Sequence, residues 1–269
     1  MKRIESRENP HFKTCLKWAS SPKERQKAGR ILLEGPHLLE VWMGRTDFPG
    51  TAWTLVLAES AHLPTALRQI VAAEPTVEVL QMPDRLFQRL AETETPQGIL
   101  ACVPIPRPLA VMPSVVADTL VLDGIQDPGN IGTLLRTAAA AGFEQIVLSP
   151  HCASPWSGKS LRAGQGAQLL AHIYEQQNLV TFLQAFSGNV LGAVPASDTP
   201  LYAKGLPLES RPLAWVMGSE GQGVQPQVLA VCDHQVSIPM PGKTESLNVA
   251  AAAAICLFET ARRRYQETP

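Results

Sequence analysis

Along most of the chain, the spacing of hydrophobic and polar residues alternates between a pattern typical of strands and a pattern typical of helices. Short apolar runs typical of buried strands are separated by stretches with apolar residues at helical spacing. In residues 115–269 this alternation predicts an α/β fold with a mostly parallel sheet and helices on both faces. The strands predicted there are 119–123, 145–149, 169–174, 190–194, 213–217 and 235–238.

Residues 31–103 show the same alternation on a smaller scale. The pattern predicts strands at 31–33, 53–58, 77–80 and 98–103, with helices between them. Because this stretch contains no cluster of catalytic residue types, we interpret it as a small α/β recognition domain.

Four prolines between positions 104 and 113 separate the two patterns. Proline cannot continue a central strand or helix, and a run of prolines favours an extended spacer. We therefore place a domain boundary here. The predicted organisation is a basic arm at 1–30, a recognition domain at 31–103, a proline-rich linker at 104–114 and a second domain at 115–269.

The net charge of −1 is unevenly distributed. The first 30 residues contain nine Lys and Arg against three Glu, a balance of +6, so the rest of the chain carries −7. Such an arm can attract nucleic-acid phosphates. A solvated arm has the same composition, so the charge alone leaves both interpretations open.

The five cysteines are widely spaced and form no Cys-x-x-Cys pair. This argues against a disulfide framework or a zinc site and suits a reducing compartment. No apolar run has the length of a membrane span, and the N-terminus lacks the apolar core of a signal peptide. We expect a cytoplasmic protein that does not enter a membrane.

The candidate chemistry lies in the last third of the chain. A glycine-rich turn, 218–223, follows the strand predicted at 213–217, and a Pro-Gly turn follows the strand at 235–238, which we expect to be its neighbour in the sheet. Ser246 to Val249 then opens a helix. Loops at the carboxyl ends of adjacent strands are where open α/β sheets bind ligands. We therefore expect a small-molecule site here, with Glu220 buried in it.

A second polar loop, 124–130, precedes a helix predicted at 131–141. Asn130 is placed to cap this helix. Arg136 lies about two turns further along, where a guanidinium can hold a phosphate or orient a hydroxyl. A surface or ion-paired arginine is the alternative interpretation.

Other known motifs do not fit. The Gly-Lys-Ser sequence at 158–160 resembles the end of a P-loop, but Ala153 stands where that motif needs glycine. The turn at 218–223 lacks the spacing of a dinucleotide fingerprint. The sequence has no Gly-x-Ser-x-Gly elbow and no His cluster typical of a metal site. Lys159 and Arg162 are candidates either for RNA contact or for a solvated helix face.

Residues 122–136, 216–224 and 236–249 form three polar, glycine-containing stretches. They resemble the signature motifs of the SpoU (TrmH-like) branch of the SPOUT RNA methyltransferases. They follow the family's order over residues 115–265. The N-terminal pattern is similar to the ribosomal-protein-like substrate-binding domain that precedes the catalytic domain in members acting on ribosomal RNA. The stretches that carry these resemblances are 122–136, 216–224 and 236–249 for the motifs, and 31–35 and 97–99 for the N-terminal domain.

The resemblance implies transfer of a methyl group from S-adenosylmethionine to a ribose 2′-hydroxyl of RNA, with ribosomal RNA favoured and no metal. It further implies a C-terminal trefoil knot and a homodimer whose interface completes the site. A methyltransferase of transfer RNA and a non-catalytic RNA-binding relative remain alternatives. A nucleotide-dependent metabolic enzyme would have no evident use for the basic arm and recognition domain.

The resemblance also assigns roles to individual residues. It implies that Gly218, Ile238 and Leu247 line the S-adenosylmethionine pocket, largely through backbone groups. Asn130 and Arg136 would hold the target ribose and its phosphate. Because a guanidinium does not give up its proton in proteins, we expect Arg136 to stabilise the developing alkoxide or to anchor the phosphate. The remaining catalytic candidates, which would shape and orient the site, are Glu220, Ser246 and Asn248.

Overall fold

The structure is a computed structural model, and it describes residues 1–45, 52–106 and 111–266. Residues 107–110 of the predicted linker lie outside the described residues. No helix within those described ranges combines the length and the apolar character needed to cross a bilayer. All five cysteines are free thiols.

The chain divides into two compact units, which we call the N-terminal unit and the C-terminal unit. A short stretch from the second half of the sequence groups with the first half. The N-terminal unit consists of Met1–Pro106 and Trp156–Leu169, and the C-terminal unit of Arg107–Pro155 and Leu170–Pro269.

The N-terminal unit is built on a five-stranded mixed sheet. Its strands are β1 (Lys2–Arg3), β2 (Arg30–Glu34), β3 (Trp53–Ala58), β4 (Val77–Met82) and β5 (Ile99–Pro104). Their order is β1-β4-β3-β5-β2, with β4 parallel to β1 and β3, and β5 antiparallel to β2 and β3. The four strands predicted in this part of the chain are confirmed within two residues of their bounds.

Five helices accompany this sheet among the described residues of the first 106. Three of them begin with proline, which has no N–H to leave unpaired in the first turn. The helices are α1 (Pro10–Ser20), α2 (Pro22–Lys27), α3 (Pro36–Met43), α4 (Thr65–Ala73) and α5 (Asp84–Phe87).

Residues 1–30, predicted as a basic arm, contain β1, α1 and α2 and contribute to the core of the N-terminal unit. Ile4, Phe12 and Cys15 are buried in this core. Much of the positive charge is neutralised, because five of the nine basic side chains pair with carboxylates. These five are Lys2, Arg3, Lys13, Lys17 and Arg25.

The C-terminal unit contains a six-stranded sheet in which every pairing is parallel. The strands are β6 (Thr119–Asp123), β7 (Gln145–Leu148), β8 (His172–Tyr174), β9 (Asn189–Ala193), β10 (Leu213–Gly218) and β11 (His234–Val236). Their order is β11-β9-β10-β6-β7-β8. The predicted parallel sheet is confirmed, although β8 begins later than expected because Ala167–Leu169 forms a 3₁₀ helix.

Helices cover both faces of this sheet, as predicted. The helices of the second half are α6 (Pro128–Ala140), α7 (Gly158–Gly164), α8 (Leu179–Ala185), α9 (Pro226–Leu229) and α10 (Val249–Gln266), of which α7 belongs to the N-terminal unit. Side chains alternate between the faces of a strand. Val216 of β10 packs in the core with α8 and α9, whereas Trp215 faces α10 and donates a hydrogen bond to Thr260 at 3.0 Å.

The expectation that the strands at 213–217 and 235–238 are neighbours was wrong. β9 lies between β10 and β11 and pairs with both. Apolar content and alternation predict that a strand exists, but the pairing partner depends on long-range contacts that periodicity does not encode. The C-terminal trefoil knot stays a prediction.

We expect Thr260→Val to destabilise the C-terminal unit by about 1–3 kcal/mol, because it leaves the buried indole N–H of Trp215 without an acceptor. Both side chains are fully buried. Denaturant titration of the free energy of unfolding measures the effect. Thr133→Val is the matched control, since the Thr133 hydroxyl also donates to the carbonyl four residues earlier but is exposed. Equal stabilities for the two variants would contradict this role of Thr260.

Candidate active site

The candidate site lies at the carboxyl edge of the parallel sheet, where β6 and β10 end side by side. Asp123 and Gly218 are paired at the ends of these two strands. The chain after Gly218 folds into a tight hairpin in which Ser219 and Gly223 exchange backbone hydrogen bonds of 3.1 and 2.8 Å. A Cβ atom on Gly218 would overlap the backbone of Gly223 and Val224. The hairpin therefore requires glycine at position 218.

The buried carboxylate of Asp123 fixes the far end of this hairpin to β6. Its two oxygens accept hydrogen bonds from the backbone N–H of Gln225 at 2.8 Å and from the Gln225 side-chain amide at 3.2 Å. Asp123 is only 1% exposed. Sequence reasoning missed both residues, although an aspartate ending a buried strand was the available signal.

The start of α6 differs from the prediction. The helix begins at Pro128, and its cap is Asp127, whose side chain accepts from the backbone N–H groups of Gly129 and Asn130 at 2.5 and 3.1 Å. The expectation that Asn130 caps the helix was therefore wrong. Asp-Pro at a helix start is a known cap signal, and it leaves the Asn130 amide available for other contacts.

Hydrogen bonds between side chains join three of the predicted site residues. The Asn130 amide donates to the Glu220 carboxylate, and the Asn248 amide donates to the Asn130 carbonyl oxygen at 3.2 Å. The Asn248 carbonyl oxygen in turn accepts from the backbone N–H of Ala250 at the start of α10, at 2.9 Å. One residue from each of the three sequence motifs thus takes part in a single chain of hydrogen bonds.

Glu220 is exposed rather than buried, so that expectation was wrong. The physical reason is the hairpin, which projects beyond the end of β10 and carries Glu220 near its tip. A carboxylate exposed in this way keeps acceptor positions free for a ligand.

The other predicted site residues take no part in this chain of hydrogen bonds. Arg136 is exposed on α6 and makes no hydrogen bond or ion pair with any residue that the structure describes. Ser246 and Leu247 are exposed, while Gly218 and Ile238 are half-buried. Arg162, a candidate for RNA contact, instead pairs with Glu92 at 2.9 Å in the N-terminal unit.

A half-buried thiol, that of Cys152, lies beside the loop that follows β6. The backbone N–H of Gly124 donates to the Ser149 hydroxyl at 2.9 Å, and Cys152 donates to the Leu122 carbonyl at 3.3 Å. Burial raises the pKa of the Cys152 thiol above its ordinary value. The thiol therefore stays protonated at neutral pH and acts as a hydrogen-bond donor rather than a nucleophile.

A cavity of about 330 Å³ opens between the hairpin and the loop after β6. Its lining consists of polar side chains and glycines, without an apolar side chain. The lining residues are Asp123, Gly124, Gln126, His151, Gln225 and the hairpin 219–223. Over the described ranges, the structure contains no group of three or more His, Cys, Asp or Glu side chains arranged to hold a metal ion.

Two protein-family models match this chain. The SpoU rRNA methylase family model matches residues 118–258, and the MRM3-like substrate binding domain model matches residues 9–101. The chain belongs to the SpoU family of RNA methyltransferases, and the family predicted from the three motifs is confirmed.

Known relatives extend the similarity over nearly the whole chain. The chain is 33% identical over 261 residues to RlmP of Bacillus subtilis, a 23S rRNA (guanosine(2553)-2′-O)-methyltransferase, covering 96% of this chain and 98% of RlmP. A TrmH-family RNA methyltransferase structure from Porphyromonas gingivalis matches with a TM-score of 0.79 and 32% identity, covering 94% and 97%. AviRb of Streptomyces viridochromogenes, solved with AdoMet, shares the fold at 24% identity and a TM-score of 0.80, covering 96% and 98%.

We expect Gly218→Ala to lower the free energy of unfolding by about 1–3 kcal/mol, because the added methyl group forces the hairpin away from β10. Gly221→Ala is the control, since a Cβ atom there meets nothing within 4 Å, and a surface change of this kind alters stability by less than about 0.5 kcal/mol. Chemical denaturation of both variants gives the comparison. A Gly218→Ala protein as stable as the Gly221→Ala protein would show that the hairpin has room to shift.

Proposed function

We propose that this protein transfers the methyl group of S-adenosylmethionine to a ribose 2′-hydroxyl in ribosomal RNA. The observation that carries the proposal is the chain of hydrogen bonds from Glu220 through Asn130 to Asn248, which unites one polar residue from each motif. Membership of the SpoU family supports the reaction class. The activity of RlmP on guanosine in 23S rRNA supports the target class.

The residues proposed to hold S-adenosylmethionine suit that ligand. Ile238 and Leu247 each present a partly uncovered apolar side chain. Their backbone N–H groups donate no hydrogen bond to any residue described by the structure. An apolar surface beside free backbone donors can receive an adenine ring and its acceptor nitrogens. Gly218 completes this pocket through its backbone, since the hairpin occupies the position of its missing side chain.

Methyl transfer depends more on holding the 2′-oxygen and the methyl donor in place than on a strongly acidic or basic side chain. When bound, S-adenosylmethionine would supply a methyl group on a positively charged sulfur: the 2′-oxygen would take the methyl group in line, the sulfur would leave as a neutral thioether, and the hydroxyl proton would pass to solvent. We assign Asn130 to hold the target ribose, because Glu220 and Asn248 fix its amide from both sides. Arg136 stabilises the negative charge that develops on the 2′-oxygen or anchors the neighbouring phosphate. Ser246 and Asn248 position the start of α10 beside the reacting groups.

The N-terminal unit is the proposed RNA-recognition part of the molecule. Its match to an MRM3-like substrate binding domain supports this role. Arg7, Lys23 and Lys27 are exposed and enter no ion pair with the residues that the structure describes, so their charge is available to RNA phosphates. Ribosomal RNA as the target and the five free thiols favour the cytoplasm as the location.

The proposed active form is a homodimer, because α10 carries an apolar stripe on its solvent side. Ala251, Phe258 and Tyr265 recur every seven residues and are all exposed, with Phe258 at 48% and Tyr265 at 85%. Seven-residue spacing places these side chains on one face of a helix. A second copy of the chain can cover this face and bring its own Arg136 towards the site.

The central test is methyl transfer from radiolabelled S-adenosylmethionine to ribosomal RNA transcribed without modifications. We expect labelled RNA that yields alkali-resistant dinucleotides, because a 2′-O-methyl group blocks alkaline cleavage at that position. Arg136→Ala should reduce transfer at least about 100-fold, the effect of losing a transition-state charge contact, without changing the circular dichroism spectrum or the molecular mass in solution.

Arg211→Ala is the matched control for Arg136→Ala. Arg211 is an exposed arginine of the same unit that lies just before the amino end of β10, at the opposite edge of the sheet from the site. Label in transfer RNA alone would support the alternative target. Absence of label in every RNA would support a non-catalytic RNA-binding relative and overturn the proposed reaction.

Phe258→Asp should convert the protein into a monomer, because burying an unpaired carboxylate in an apolar interface costs several kcal/mol. Light scattering after size-exclusion chromatography measures the mass, and methyl transfer should fall with the loss of the dimer. Val116→Asp, at an apolar residue that is 68% exposed on the same unit, should leave the mass unchanged. A Phe258→Asp protein that remains dimeric would place the interface elsewhere.

A further inference from the structure

The polar cavity beside the hairpin has no role in the function described so far. Its lining does not include Gly218, Ile238 or Leu247, the residues assigned to S-adenosylmethionine. It does include Glu220, which accepts the hydrogen bond from Asn130. A ligand in this cavity therefore touches the residue that positions the proposed target ribose.

We propose that this cavity binds the base of the target nucleotide and that the base is guanine. This inference rests on the proposed ribose methylation and extends it to the part of the substrate that determines specificity. Enzymes that act on one nucleotide of RNA commonly receive an unstacked base in a separate pocket and read its hydrogen-bonding edge. A volume of about 330 Å³ lies at the lower end of the range for small-ligand pockets.

The charge of the lining excludes a phosphate and favours a ligand rich in hydrogen-bond donors. Asp123 and Glu220 contribute two carboxylates, and His151 is the sole basic side chain among the described residues that line the cavity. A phosphate would be repelled by the two carboxylates. A metal ion would need more acidic or histidine ligands than the described residues bring together here.

Guanine matches the acceptors of this cavity. Its N1–H and N2 amino group form two neighbouring donors, whereas adenine, cytosine and uracil each offer one donor group on that edge. A carboxylate with two oxygens accepts such a pair. Glu220 is exposed at the rim, and only its Oε1 atom accepts a hydrogen bond, from Asn130, so this carboxylate keeps acceptor positions for the base. Asp123 is buried and bonded to Gln225 through both oxygens, so it contributes negative charge rather than a contact.

Two glutamines supply the donors that guanine needs on its other edge. Gln126 and Gln222 line the cavity, are exposed, and have side chains that form no hydrogen bond with any residue described by the structure. A side-chain amide can donate to the O6 and N7 acceptors of guanine. We therefore assign Gln126 and Gln222 as specificity-determining residues that contact the base and take no part in methyl transfer.

The test compares bases at the methylated position. The wild-type protein first labels unmodified ribosomal RNA, and the methylated nucleotide is mapped. Transcripts are then prepared with guanosine, inosine or adenosine at that position, inosine differing from guanosine only in lacking the N2 amino group. We expect kcat/KM to fall about 10-fold to 100-fold for inosine and further for adenosine, because a charged acceptor loses its donor.

The paired substitution Gln126→Ala with Gln222→Ala tests the residues. It should lower kcat/KM for guanosine about 10-fold to 100-fold and reduce the preference for guanosine over adenosine by a similar factor, with unchanged affinity for S-adenosylmethionine by calorimetry. Gln235→Ala, at an exposed glutamine of β11 outside the cavity, should leave the preference unchanged. A merely structural effect of the paired substitution would lower all rates equally and preserve the preference.

The outcomes separate this inference from the proposed function. Labelled RNA with a mapped target other than guanosine, or with equal kcat/KM for guanosine and inosine, would overturn guanine recognition while ribose methylation stands. An unchanged base preference in the paired variant would remove the two glutamines from recognition. If no RNA is labelled by the wild-type protein, both the methylation and the recognition of its target base are overturned.

Discussion

The site depends on the hydrogen bonds that join Glu220, Asn130 and Asn248, because these bonds connect three loops distant in the sequence. A single side-chain hydrogen bond in contact with water contributes only about 0.5–1.5 kcal/mol. Such bonds cannot by themselves hold three flexible loops in register. They persist only where the backbone on each side is already restrained. The parallel sheet and the hydrogen bonds that fix the loops to it must therefore provide most of that restraint.

Each of the three loops has its own restraint in the C-terminal unit. The hairpin after β10 is closed by backbone hydrogen bonds and tied to Asp123 through Gln225. The loop before α6 is capped by Asp127. The start of α10 is fixed by the Asn248 side chain. The side chains proposed to contact the substrate are therefore held in place by hydrogen bonds from residues that do not contact it.

The sequence predicted the strands well because burial on both faces produces apolar runs that few other elements show. It also located the three motifs, whose residues meet at one edge of the sheet. It did not predict the order of β9, β10 and β11, since pairing is decided by contacts between distant residues. The Asp127 cap and the exposure of Glu220 were missed for a different reason. A cap and a hairpin tip depend on where a helix or strand ends, and element ends are the least predictable feature of a sequence.

The grouping of α7 with the N-terminal unit has a consequence for how the chain can be divided. The backbone passes from one unit to the other three times, after Pro106, Pro155 and Leu169. Leu161 of α7 is fully buried, and Arg162 pairs with Glu92 across this unit. A single cut in the proline-rich region would therefore separate α7 from the rest of the N-terminal unit. The carboxyl-terminal fragment would carry α7 without the rest of the N-terminal unit, so its buried Leu161 would lose the partners that keep it from water.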